Sequence, residues 1–148
     1  LQALEGRDAA SLTPAMVSAA VCEVRCSKLP DPASLPNTGS FFKNPVVTEE
    51  QAAALRQQFP DIVCYPQTDG TVKLAAGWLV EQAGWRGVMR GRVGVHDRQS
   101  LVLVNFGGGT GAELLALAEE ISDSVQQKFA VALEIEPTIY PAPAKKPL

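Results

Sequence analysis

Chemistry could reside in the run Gly39-Ser40-Phe41-Phe42-Lys43-Asn44-Pro45, which sets a hydroxyl, an ammonium and a carboxamide close together on a backbone opened by Gly and closed by Pro. The phenylalanines put the Ser40 hydroxyl at the margin of something buried. Near the other end, Leu133-Glu134-Ile135-Glu136-Pro137 carries two carboxylates in an apolar, strand-like setting. The two runs read as two edges of one polar site. If Ser40 lies on a strand facing a cleft, Phe42 and Asn44 share its side while Phe41 and Lys43 take the other. A side bearing Ser, Phe and Asn suits a ligand with both polar and apolar surface. A turn that merely ends at Ser40 after Gly39 accounts for the same residues, and the bare sequence leaves both readings open.

Other groups have plainer readings. Arg25 and Lys28 fall three apart where a helix should end, so they either complement its dipole or face a cleft as a pair of cations. Gly107-Gly108-Gly109-Thr110-Gly111 lacks the Lys-Ser/Thr of a phosphate-binding loop and reads as a flexible connector, although it precedes a helix. His96, the one histidine, sits beside Asp97-Arg98 and reads as a hydrogen-bonded structural residue. Cys22, Cys26 and Cys64 form no disulfide framework and too few ligands for zinc, so they read as reduced thiols and no metal is expected.

The elements that must position these groups follow from spacing. Thr13-Pro14 opens a helix whose apolar face is Val17, Ala20, Val21 and Val24, and Lys28-Leu29-Pro30-Asp31-Pro32 ends it. A strand is expected over 40–44. Thr48 with Gln51 caps a second helix with stripe Ala52, Leu55 and Phe59. A strand over 61–66 carries Tyr65, the turn Thr68-Asp69-Gly70 follows, and Val72-Lys73-Leu74 leads to a short helix over 75–83 with Trp78 and Leu79 inward and Gly84 as its stop. Residues 88–95 read as extended and 101–104 as an apolar strand. Thr110 with Glu113 caps a long helix with stripe Leu114, Leu117, Ala118, Ile121 and Val125, and 130–136 returns as a strand. This interleaving predicts an α+β fold: a mixed or antiparallel sheet with helices packed on one face.

A chain of 148 residues, 46% apolar and 20% charged, suits one domain, expected over 1–140 with a disordered Pro- and Lys-rich tail at 141–148. The net charge of −3 argues against a nucleic-acid partner. No apolar run approaches the ~20 residues that span a bilayer, and no signal peptide is seen, so a cytoplasmic protein without membrane contact is expected. The start at Leu1 reads as a piece of a longer polypeptide.

The runs quoted above, together with Val72-Lys73-Leu74-Ala75-Ala76-Gly77-Trp78-Leu79-Val80 and Ala83-Gly84-Trp85-Arg86-Gly87, come in an order that resembles the C-terminal, substrate-binding domain of UDP-N-acetylenolpyruvoylglucosamine reductases, in the class with a tyrosine loop. The resemblance spans roughly residues 10–140. It implies an enzyme of peptidoglycan precursor synthesis, serving cell shape and division. There NADPH reduces FAD, hydride passes to C3 of the enolpyruvyl group of UDP-N-acetylglucosamine enolpyruvate, and a proton reaches C2 to give UDP-N-acetylmuramate. It assigns Ser40 as the proton donor and Glu136 as the second catalytic carboxylate, in preference to Glu134. Arg25, Lys28, Asn44, Tyr65, Lys73 and Gln99 match substrate-lining positions. Lys28 and Lys73 would meet the diphosphate, and Asn44 and Tyr65 the uridine or diphosphate end. The family's flavin domains precede this region, so FAD and NADPH are expected in the full-length enzyme and neither on this chain alone, which is expected inactive. The alternative is a non-catalytic nucleotide-sugar-binding or interaction module of the same fold.

Overall fold

Thr13 opens the first helix, α1 (Pro14–Lys28), by accepting the Met16 N–H on its hydroxyl at 3.3 Å, with Pro14 in the first turn. The computed structural model describes residues 11–140, so the expected tail at 141–148 lies outside the described residues. The helix is where the sequence places it, but its apolar face is not covered. Ala20 alone is buried, and Val17 and Val21 are 39% and 41% exposed, because no described element packs closely along α1.

After β1 (Asn37–Ser40) and β2 (Val46–Thr48), Thr48 and Gln51 close the expected capping box on α2 (Glu49–Gln58). The strands β3 (Cys64–Pro66) and β4 (Thr71–Leu74) form a hairpin through the expected turn. There the Asp69 carboxylate accepts the Thr71 hydroxyl at 2.7 Å and its N–H at 3.0 Å, which hold that carboxyl below its ordinary range. The short helix α3 (Ala76–Gln82) follows, then β5 (Met89–Arg90), β6 (Val93–Val95), β7 (Val102–Asn105) and the long α4 (Gly111–Phe129).

All strand pairs are antiparallel, α2 and α4 pack against strands and α3 against α4, so the α+β expectation holds, with the strands divided over two sheets and α1 left at the margin. One runs β1-β7-β6-β5 and the other β2-β4-β3. The stretch expected to extend over 88–95 is instead a β5–β6 hairpin turned at Gly91. Residues 130–136 do not join a sheet; they make a single bridge, Ile135 to Phe42. Buried Leu117, Ile121 and Val125 of α4 share one core with Val93 and Val95, with Val72 and Leu74 of β4, and with Leu79 and Val80 of α3. Phe59 meets Trp78 and Phe129 edge to face at one margin, the Phe59–Phe129 centroids 4.8 Å apart, and Trp78 and Phe129 are tilted against each other.

The glycine run before α4 is more ordered than the connector read from its sequence. Asn105 grips it: its Oδ1 accepts the N–H of Gly107 and of Gly109, each at 3.0 Å, and its Nδ2 donates to Gly109 O at 2.7 Å. A Cβ on Gly109 would lie 2.7 Å from Val93 Cγ1, so this position admits only glycine without local movement. Thr110 and Glu113 then cap α4 reciprocally, and the Thr110 N–H and hydroxyl hold the Glu113 carboxyl below its ordinary range.

At its other end α4 stops at Ala130, a non-glycine residue in the left-handed region (φ 54°). Left-handed backbone costs an L-residue about 1–2 kcal/mol, while glycine loses more unfolded-state entropy. Ala130→Gly is therefore expected to raise stability by about 0.5–1 kcal/mol, seen as a higher urea midpoint at an unchanged m-value.

Candidate functional site

Ser40 ends an edge strand. It faces Val102 of β7, and the next N–H, that of Phe41, donates to Leu101 O at 2.8 Å. The β1–β7 register shifts between Asn37 and Ser40. Gly39 makes the shift possible with φ 76°, and its N–H is fixed by Asn37 Oδ1 at 2.9 Å. The consequence contradicts simple alternation over 40–44. Phe41 and Phe42 are both buried, 4% and 1% exposed, while Ser40 faces outward. The strand expected there ends at Ser40, and the chain beyond it leaves the sheet.

What it meets is the run 133–137. Lys43 N–H donates to Glu134 O at 2.9 Å and Glu136 N–H donates to Phe41 O at 3.0 Å, flanking the Phe42–Ile135 bridge. This pairing separates the two glutamates. Glu134 forms an ion pair with Lys43. Glu136 instead lines a cleft of about 380 Å³ together with Ser40, Arg25, Leu29, Thr38 and Pro137. The hydroxyl and the carboxylate, ninety-six positions apart in the chain, thus line one cleft, with Arg25 from the last turn of α1 lining it too. Among the described residues the Ser40 hydroxyl and the Glu136 carboxylate have no hydrogen-bond or ionic partner, and both are free to meet a ligand.

The remaining candidates fall elsewhere. Tyr65 and Lys73 are directly opposed on β3 and β4, and Lys73 is opposed in turn by Val46 on β2, so the three form one row across the smaller sheet. Tyr65 and Val46 are 53% and 55% exposed. Asn44 lines a separate hollow with Lys43 and Glu134, and its Oδ1 accepts the Ala76 N–H at 2.9 Å, capping α3 where Ala75 has no capping side chain. Only its Nδ2 is left for a ligand. Lys28 is exposed in the last turn of α1 and does not line the cleft. Gln99 lies in the loop between β6 and β7, its carbonyl accepting the Val102 N–H at 2.9 Å.

Cation pairing sorts the charged residues. Among the described residues Lys43, Arg56, Arg86, Arg90, Arg92, Arg98 and Lys128 each engage an acid or a carbonyl. Arg25, Lys28 and Lys73 have no such partner. These are the three cations that the resemblance assigns to a ligand. The run from Ser40 to Val46, which joins the cleft to the Tyr65–Lys73 row, can span at most about 20 Å when extended. Sequence reasoning missed Thr38, Leu29 and Pro137 as cleft walls. Thr38 and Pro137 directly flank motif residues, but nothing in their types marks them. No group of three metal-ligating side chains occurs among the described residues, and none of their helices is long and apolar enough to cross a membrane.

A family model described as "UDP-N-acetylenolpyruvoylglucosamine reductase, C-terminal domain" matches residues 31–140. Proteins named UDP-N-acetylenolpyruvoylglucosamine reductase are similar over most of the chain. That of Pseudomonas aeruginosa is 57% identical over 139 residues, covering 94% of this chain and 41% of the relative. That of Pseudomonas putida is 54% identical over 139 residues, with the same coverage of 94% and 41%. That of Alcanivorax borkumensis is 58% identical over 132 residues, covering 89% and 38%. The chain therefore spans about two fifths of the length of these relatives.

Proposed function

We propose the function of this chain from the premise that it belongs to the UDP-N-acetylenolpyruvoylglucosamine reductase family, as its C-terminal domain. It is the proton-donating, substrate-binding part of a reductase that converts UDP-N-acetylglucosamine enolpyruvate into UDP-N-acetylmuramate, a cytoplasmic step of peptidoglycan precursor synthesis. The observation that carries this reading is the cleft shared by Ser40, Glu136 and Arg25.

Once a hydride has added to C3 of the enolpyruvyl group, the electron pair left at C2 spreads into the carboxylate as an enolate. A serine hydroxyl is a weak acid, poorly matched to most acceptors at neutral pH. The enolate is basic enough to take its proton. The Ser40 O–H bond breaks, a C2–H bond forms, and the resulting alkoxide regains a proton from solvent. Glu136, lining the same cleft, orients the substrate carboxylate and balances charge around the developing enol. A carboxylate beside an anionic intermediate is costly alone; Arg25, lining the same cleft, offsets it and faces the substrate carboxylate.

FAD and NADPH are proposed for the whole reductase, where the flavin supplies the hydride. The residues described here do not fit that dinucleotide by themselves. Their one glycine-rich turn before a helix has the Gly107 and Gly109 N–H groups turned onto Asn105 Oδ1, which removes two of the donors that a pyrophosphate cradle would use. The flavin site is therefore assigned to the remainder of the polypeptide.

Away from the cleft, the unpaired Lys73 and Lys28 meet the diphosphate, Tyr65 beside Lys73 presents its ring to the uridine end, and Asn44 contributes Nδ2. Gln99 contributes from the β6–β7 loop. Charged hydrogen bonds are worth about 1.5–3 kcal/mol, so Lys73→Ala in the whole reductase is expected to weaken calorimetric binding of UDP-N-acetylglucosamine about 10–100-fold. Unchanged affinity would remove Lys73 and its sheet from the site.

A further inference from the structure

We propose that His96 is a positioning residue for Ser40, acting through the loop between β6 and β7; this rests on the reading of Ser40 as proton donor.

Among the described residues the buried polar side chains are His96 and Ser100, and both belong to that one loop. A buried polar group is tolerated when it is hydrogen-bonded, so the pair marks a segment whose shape is held from inside. His96 Nδ1 accepts the Arg98 N–H at 3.2 Å. Ser100 Oγ approaches Glu81 Oε2 on α3 at 3.4 Å, and Arg86 Nε donates to Asp97 O at 2.6 Å. The His96 N–H donates to Val102 O and the Val102 N–H to Gln99 O, both at 2.9 Å.

The far end of this loop is what Ser40 rests on. Leu101 O accepts the Phe41 N–H at 2.8 Å, and Val102 is the register partner of Ser40. Because β1 is an edge strand with a register shift, Ser40 has sheet support on this side only. The loop also carries Gln99. A catalytic hydroxyl displaced by about 1 Å can cost 10²-fold in rate. His96 is not among the residues that line the cleft, so its action is indirect.

The critical atom is the acceptor at Nδ1, which also lies 3.6 Å from Asp97 Oδ1. Asn places its carboxamide oxygen where Nδ1 sits and can accept the same N–H. Gln, closer in volume, carries its amide out to the Nε2 position and leaves Arg98 N–H without an acceptor. In the whole reductase, His96→Gln is expected to slow reoxidation of the reduced flavin by substrate about 10–10²-fold, with reduction by NADPH unchanged, while His96→Asn stays within about threefold of the parent. Amide exchange at Arg98 and Phe41 should quicken in the Gln protein and not in the Asn protein. Equal rates for the two variants would overturn the proposal. Should the Gln protein not fold, His96→Ala, which also removes the Nδ1 acceptor, carries the test: reoxidation at the parent rate with unchanged exchange at Phe41 overturns the proposal. Were Ser40 not the donor, Ser40→Ala would react at the parent rate while the exchange difference between the His96 variants persisted, so the two failures are distinguishable.

Discussion

Ser40→Ala, introduced into the whole reductase, is expected to leave reduction of the flavin by NADPH intact and to slow its reoxidation by UDP-N-acetylglucosamine enolpyruvate about 10²–10⁴-fold, the usual consequence of losing a general acid. Stopped-flow absorbance of the flavin separates the two half-reactions. The structure makes the substitution a clean probe. Ser40 is exposed, and its hydroxyl has no partner among the described residues, so removing the oxygen orphans no buried group. Its backbone bonds to β7 are indifferent to the side chain. A large loss would therefore report chemistry rather than folding. Reoxidation at the parent rate would sink the proton-donor role and favour a domain that binds the nucleotide sugar without catalysing.

Phe42→Ala should be among the most damaging single changes to the fold. The ring is 1% exposed and meets Phe41 edge to face, with centroids 5.6 Å apart. Its backbone forms the bridge to Ile135 that draws Glu136 to the cleft. Truncating a buried Phe to Ala typically costs about 3–5 kcal/mol, which a urea or thermal denaturation series would read directly. That is a large part of a normal domain's ~5–15 kcal/mol. The same substitution should loosen Glu136, so residual folded enzyme should also turn over more slowly. A loss below about 1 kcal/mol would mean that the site repacks around the missing ring, and that the side-chain packing of Phe42 is not what holds the two halves of the cleft together.

Local physics was readable from the chain. Thr13-Pro14, Thr48 with Gln51, and Thr110 with Glu113 announced three helix starts, and each side chain caps the N–H expected of it. The Thr68-Asp69-Gly70 turn and the stripe through Leu117, Ile121 and Val125 were equally legible, because caps, turns and helical periodicity depend on neighbours within a few residues. Failures occurred where long-range contacts decide. The apolar positions of α1 promise burial, but a pattern cannot say whether anything will pack against it. The strand expected over 40–44 instead ends at Ser40, and beyond it Phe41 and Phe42 are both buried where the chain meets Ile135, a partner far off in sequence. The glycine run before α4 read as slack because the side chain that tightens it, Asn105, has no local signature.

The sequence by itself supplied the groups proposed for the chemistry: the Ser40 hydroxyl in its Gly-Phe-Phe-Lys-Asn-Pro setting and a pair of glutamates near the end from their residue types, and the cations Arg25, Lys28 and Lys73 through the family resemblance. Only the tertiary structure decided their division of labour. Glu134 and Glu136 lie on the same side of any extended strand, so parity could not choose between them. The register of one bridge, Phe42 to Ile135, gives Glu134 to Lys43 and leaves Glu136 facing Ser40. Likewise Tyr65 and Lys73 become neighbours through β3–β4 pairing, while Asn44 is partly drawn off to cap α3. The reason is physical. Residue types supply acidity, charge and donors, whereas the distances at which those groups act are fixed by contacts between segments far apart in the chain.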